Sequence, residues 1–192
     1  MVRFEDGTSM RLYRQTVEDF GLYSGLELSA EEKSRLRTAA GEMSAKMRAV
    51  RIVAASNVSK NDLEQRLIRK GEDAAQARDA VQWMSDLNLV DDAQTAAQVV
   101  SRCVSRGYGI ARAKQALYEK RIPKEYWEDA LADYPDQTDH IISFLRSRLT
   151  DAQDQKQLKR AIDALLRRGH HYSDIRRALG QLEWDAEDFL EE

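Results

Sequence analysis

Shift the chain by fifty positions and Leu63-Glu64-Gln65-Arg66-Leu67-Ile68-Arg69-Lys70 lies over Ala113-Lys114-Gln115-Ala116-Leu117-Tyr118-Glu119-Lys120 without a gap. Shift the second copy by a further sixty-two and Ser105-Arg106-Gly107-Tyr108 lies over Arg167-Arg168-Gly169-His170, with Leu117 over Leu179. Self-similarity at this spacing restricts the fold more than any other property of the chain. Each copy is too small to bury an apolar face alone, so neighbouring copies must shield one another, as in arrays of small helical units. Such arrays seldom enclose a catalytic pocket. They present a broad surface to a large partner.

The copies read as helices. Charged residues make up 33% of the 192 positions, there are only two prolines, and β-branched residues are few. A hydrophobic content of 42% is enough for a core. The expected fold is all-α, with tandem three-helix repeats in an elongated curved array and a small N-terminal β-hairpin segment. The expected divisions are 1–28 for the hairpin segment, 29–88 for repeat 1, 89–136 for repeat 2, and 137–192 for repeat 3 with an extra helix.

Local signals place the elements. Apolar and polar residues alternate on both sides of Asp6-Gly7, which predicts a hairpin. A short helix over 16–22 closes at Gly21 or Gly25. Ser29 and Glu32 form a capping box for a helix reaching about position 56, with Met43, Met47, Val50 and Val53 or Ala54 on one stripe. Ser59 opens a helix through Lys70 that stops at Gly71, and Asp73 opens another carrying Ala77, Ala80, Val81 and Met84. In the second copy, Asp91 or Asp92 caps a helix ending at Gly107. A helix over 110–120 follows, and Pro123 starts a third. Further helices are predicted over 138–149, 156–168, 173–182 and 185–190.

Catalytic chemistry is poorly supplied. The histidines are His140, His170 and His171, and no Cys/His spacing fits zinc. Gly107-Tyr108-Gly109 lacks the strand and third glycine of a dinucleotide loop and reads as a helix stop and turn. Cys103 reads as a buried small hydrophobe. Neither catalysis nor a cofactor or metal is expected. No apolar run spans a bilayer and no signal peptide is present, so the expected location is cytoplasmic and no membrane partner is expected.

The formal charge is −3, but its distribution is uneven. Within 101–121 six cations face one anion, Glu119; within 144–180 nine cations face four anions. Arg102 and Arg106, and Arg160 and Arg167, fall at helical spacings that share a face. The repeat superposes Arg106 on Arg168 and Lys114 on Arg176. Cations at matching corners suit a polyanion or an acid-coated filament; solvation of helix surfaces is the plainer alternative. Tyr108 and Tyr172 stack on bases or pack in the core.

Several motifs in order resemble the RecX family. They are Lys70-Gly71, Leu89-Val90-Asp91-Asp92, Ser105-Arg106-Gly107-Tyr108-Gly109 with Arg112, and Arg167-Arg168-Gly169 with Tyr172, Ile175-Arg176-Arg177 and Leu179. The likeness covers roughly residues 45–192. The chain departs from the family's pattern at Ala93-Gln94-Thr95, Ala113, Lys120-Arg121 and His170. The resemblance implies a non-catalytic accessory protein that binds RecA. It would lodge in the RecA–single-stranded DNA filament and restrain its recombinase, ATPase and coprotease activities in DNA repair and the SOS response. The residues expected to meet RecA or DNA are Arg102, Arg106, Arg112, Lys114, Arg160, Arg167, Arg168, Arg176 and Arg177. An array with capped ends is expected to be a monomer. The same arginines would also serve a general helix-turn-helix DNA-binding protein, and a plain helical scaffold is the third reading.

Overall fold

A turn at Asp6-Gly7, with Gly7 at φ 81°, folds the chain back on itself. It pairs β1 (Val2–Arg3) with β2 (Ser9–Met10) in antiparallel register, Val2 opposite Met10 and Arg3 opposite Ser9. The structure, a computed structural model, describes residues 1–149 and 154–182. The helix expected over 185–190 lies outside the described residues. The other regular elements among the described residues are helices, and the chain divides into two compact units, Met1–Asp91 and Asp92–Glu192.

In the first unit α1 (Arg14–Asp19) precedes α2 (Ala30–Ala55), α3 (Lys60–Arg69) and α4 (Ala74–Asp86). The Ser29–Glu32 capping box forms at the start of α2. The Glu32 amide donates to Ser29 Oγ at 3.2 Å, and the Ser29 amide donates to Glu32 Oε2 at 2.8 Å. The stripe α2 buries is not the expected methionine row. Ala45, Ala49 and Ile52 face the core, Met43 and Met47 are half-buried, and Val50 is 36% exposed. Alanines win because α4 lies close along α2 and leaves little depth for long side chains.

The second unit holds α5 (Asp92–Ser105), α6 (Ile110–Glu119), a 3-10 turn (Lys124–Tyr126), α7 (Trp127–Leu131), α8 (Thr138–Arg148), α9 (Gln155–Arg167) and α10 (Tyr172–Gln181). One apolar cluster joins α5, α6 and α7, and a second joins α8, α9 and α10. Pro123 does not begin an α-helix. Its ψ is 142°, so it caps the 3-10 turn and leaves α7 only five residues long. Trp127 secures this piece by donating from Nε1 to the Ile122 carbonyl at 3.0 Å.

Helix ends repeat more faithfully than helix bodies. At Gly71, Gly107 and Gly169 the residue after the glycine donates its amide five positions back: Glu72 to Leu67, Tyr108 to Cys103, His170 to Leu165. All three glycines have positive φ, which their missing Cβ permits. Arg121, superposed on Gly71, takes the same closure at φ 55°, with Ile122 donating to Leu117.

Two of these corners dock directly. The Gly109 amide donates to the Arg168 carbonyl at 3.0 Å and the Ala111 amide to the Gly169 carbonyl at 3.2 Å. A Cβ at Gly109 would overlap the Gly169 carbonyl, and one at Gly169 would overlap the Arg112 backbone. Gly109 is therefore a site of backbone-to-backbone approach as well as a turn residue. Gly109→Ala is expected to destabilise the chain by about 1–3 kcal/mol, because neither backbone can give way. Gly180→Ala, on α10 with nothing near its Cβ, should stabilise it by about 0.5–1 kcal/mol. Arg121→Gly should also stabilise, by about 1 kcal/mol, by relieving a left-handed side-chain residue. Urea unfolding of the three variants, followed by circular dichroism, checks all three signs.

Candidate interaction surface

The docked corners decide where the cations stand. Arg106 immediately precedes Gly107, and Arg167 and Arg168 precede Gly169, so these three flank one joint. Arg112 joins them, because its backbone presses on Gly169. Arg102 lies one turn back along α5 and Arg160 two turns back along α9. Lys114 and Arg176 are each the fifth residue of their helices, α6 and α10.

The nine cations differ in what holds them. Arg112 donates from Nη1 to Glu119 Oε1 at 3.1 Å. The Arg168 guanidinium sits 4.5 Å from the centre of the Phe144 ring, which also takes Arg148 at 5.5 Å. Arg177 donates from Nη2 to both carboxylate oxygens of Asp136 at 3.1 Å and to Thr138 Oγ1 at 3.0 Å, and it lies 3.5 Å from Asp174. These three therefore help fix the helices of their own unit. Arg102, Arg106, Lys114, Arg160, Arg167 and Arg176 are exposed. Nothing in the repeat marks the difference; the signals lie in non-repeating residues such as Asp136 and Phe144.

The joint beneath the cations is buried and polar. His170 lies inside: its Nε2–H donates to the Gly107 carbonyl at 3.0 Å. Burial pushes its pKa below the ordinary histidine value, the Gly107 bond opposing. The His140 ring lies against Gly107 and would stand 2.9 Å from a Cβ placed there. Tyr134 donates to the Tyr108 carbonyl at 2.7 Å, and burial pushes its phenol up to about 12. Burial also pushes the Cys103 thiol up, as fits a residue packed in the core. The Thr138 hydroxyl and amide hold the Asp136 carboxyl below the usual carboxylate range, with Arg177 adding to the effect. Among the described residues no group of three His, Cys, Asp or Glu side chains is placed to hold a metal ion, and no helix is long and apolar enough to cross a membrane.

The lowered His170 pKa gives the joint a pH dependence. The unfolded chain takes up the proton more readily, so the joint's stability is full above the unfolded value of about 6.5 and is lost as pH falls below it. Within that window each pH unit costs at most about 1.4 kcal/mol. His170→Gln keeps a donor for Gly107 but does not titrate, so melting curves from pH 7.5 to 5 should fall less steeply for it than for the wild type.

Comparison with known proteins finds matches to one family. Residues 91–131, which include α5, α6 and α7, match the family model described as RecX, second three-helix domain. The chain is 27% identical over 140 residues to the regulatory protein RecX of Vibrio parahaemolyticus, a match covering 71% of this chain and 90% of that protein. It is 29% identical over 134 residues to the regulatory protein RecX of Xanthomonas axonopodis pv. citri, covering 68% and 83%. The fold resembles a crystal structure of regulatory protein RecX with a TM-score of 0.69 at 17% identity, covering 91% of each chain. It also resembles RecX from Lactobacillus salivarius with a TM-score of 0.65 at 19% identity, covering 76% of this chain and 98% of that one.

Proposed function

From this resemblance to RecX proteins, we propose that the chain binds the RecA recombinase and its filament on single-stranded DNA, without catalysis of its own. Bound there, it inhibits the recombinase, ATPase and coprotease activities that serve recombinational repair and the SOS response.

The observation that carries this reading is the docked pair of corners. The start of α6, just after the Arg106-Gly107 corner, is held by backbone hydrogen bonds against the equivalent Arg168-Gly169 corner at the end of α9. A rigid pair of cationic corners meets two sites on a repeating partner at once, and the second contact then costs little further ordering. Arg102, Arg106, Arg160 and Arg167 are the exposed members on the two helices that lead into the joint, so they are the residues that reach acidic groups of the filament or DNA phosphate. Arg112, Arg168 and Arg177 hold the platform, and Lys114 and Arg176 extend it along α6 and α10.

RecA-driven ATP hydrolysis on single-stranded DNA tests the proposal. Stoichiometric protein is expected to lower the rate; an unchanged rate overturns it. Replacing Arg102, Arg106, Arg160 and Arg167 with alanine should weaken inhibition at least about tenfold while leaving helicity intact, a loss of about 1.4 kcal/mol shared among four exposed contacts. Inhibition that needs no RecA contact and vanishes steeply with salt would favour the general DNA-binding reading instead.

A further inference from the structure

We propose that the groove between the C-terminal half of α2 and the end of α3, in the first unit, is a binding site for phosphate groups. The phosphodiester backbone of nucleic acid and free phosphate are its two possible sources. The nine cations discussed above all belong to the second unit, so the site goes beyond the proposed function and does not rest on it.

The groove encloses about 430 Å3, and its walls carry Arg48, Arg51, Arg66 and Lys70 around Ile52 and Ser56. Two of the guanidinium groups are anchored from behind. Arg48 Nε lies 2.8 Å from Glu72 Oε1, and Glu72 in turn accepts from Ser44 Oγ at 3.0 Å. Arg66 Nη2 lies 2.8 Å from Asp62 Oδ2, and its Nη1 donates to Ser56 Oγ at 3.2 Å. The anchoring carboxylate side chains are only 7% and 10% exposed, so they steady the arginines without facing the opening. Arg48 also donates to the Lys70 carbonyl, which occupies an acceptor that would otherwise repel an anion. A guanidinium has five N–H donors, and these contacts use two on each arginine.

Four cations against two carboxylates leave an excess of two positive charges. Arg51 and Lys70 supply that excess from exposed positions, and Arg51 is steadied by its bond to Tyr13 Oη at 3.2 Å. Preorganised guanidinium forks beside a mobile ammonium fit the oxygens of a phosphate, which spread over several donors. A single side-chain carboxylate would leave most of these donors and half of the excess charge unanswered.

Fluorescence anisotropy of a labelled thirty-nucleotide oligothymidine tests the site in the full chain. R51Q/K70Q is expected to bind about tenfold more weakly, with a salt slope reduced by about 1.4. R35Q/R37Q, the same charge change at exposed positions of α2, should bind as the wild type does. In a second arm, inorganic phosphate at constant ionic strength should raise the melting temperature of the wild type more than that of R51Q/K70Q. Loss in the first arm identifies nucleic acid as the source; loss in the second arm alone identifies free phosphate. Binding and melting response both retained by R51Q/K70Q, or an equal loss in R35Q/R37Q, overturns the proposal. So does a variant that keeps both responses but loses its effect on RecA, which would assign the groove to acidic side chains of a protein. If the double variant loses helicity, K70Q alone repeats the measurement.

Discussion

Helix ends are the expensive parts of an all-helical protein, because each leaves backbone donors or acceptors without partners in the helix. In the second unit the start of α6 and the end of α9 answer one another. The amides of Gly109 and Ala111 bond the carbonyls of Arg168 and Gly169, so orphan donors meet orphan acceptors. The partial positive charge at one helix end also faces the partial negative charge at the other. This contact requires glycine at 109 and 169, buries His170, and sets where Arg106, Arg112, Arg167 and Arg168 stand. Remove it and the remaining description of the unit loses its frame.

Much of the fold is legible in the residues because local chemistry writes it. Ser29 with Glu32, Ser59, Asp73 and the glycines at 71, 107 and 169 mark helix limits, and the helices begin or end at those points. Signals that depend on what a helix packs against are less legible. The methionine row of α2 matches the helical period, but the nearness of α4 selects Ala45 and Ala49 for the core instead. Pro123 has the right neighbours for a helix start, yet its ψ belongs to an extended residue. The change from glycine to Arg121 leaves the corner's conformation in place and only adds strain to it.

The candidate surface divides along the same line. The repeat superposes cations correctly at equivalent corners, since Arg106 and Arg168 both precede a left-handed glycine. It does not foretell which cations the unit keeps for itself. Arg177 is taken by Asp136, Arg168 by Phe144 and Arg112 by Glu119, and two of those three partners lie in the non-repeating stretch around α8. Arginine serves both purposes here because its planar fork binds a carboxylate, an aromatic face or an external anion equally well. The first unit shows the same economy, with Arg48 and Arg66 bound to carboxylates on one side and open on the other.

The mutual satisfaction of α6 and α9 also bears on how a chain like this changes length over evolutionary time. Deleting the last bundle would strip two acceptors from the beginning of α6 and expose the face of Gly109, a position too tight to have been shaped for water. The loss would fall on the bundle left behind as well as on the one removed, so neither copy can be dropped without cost to the other.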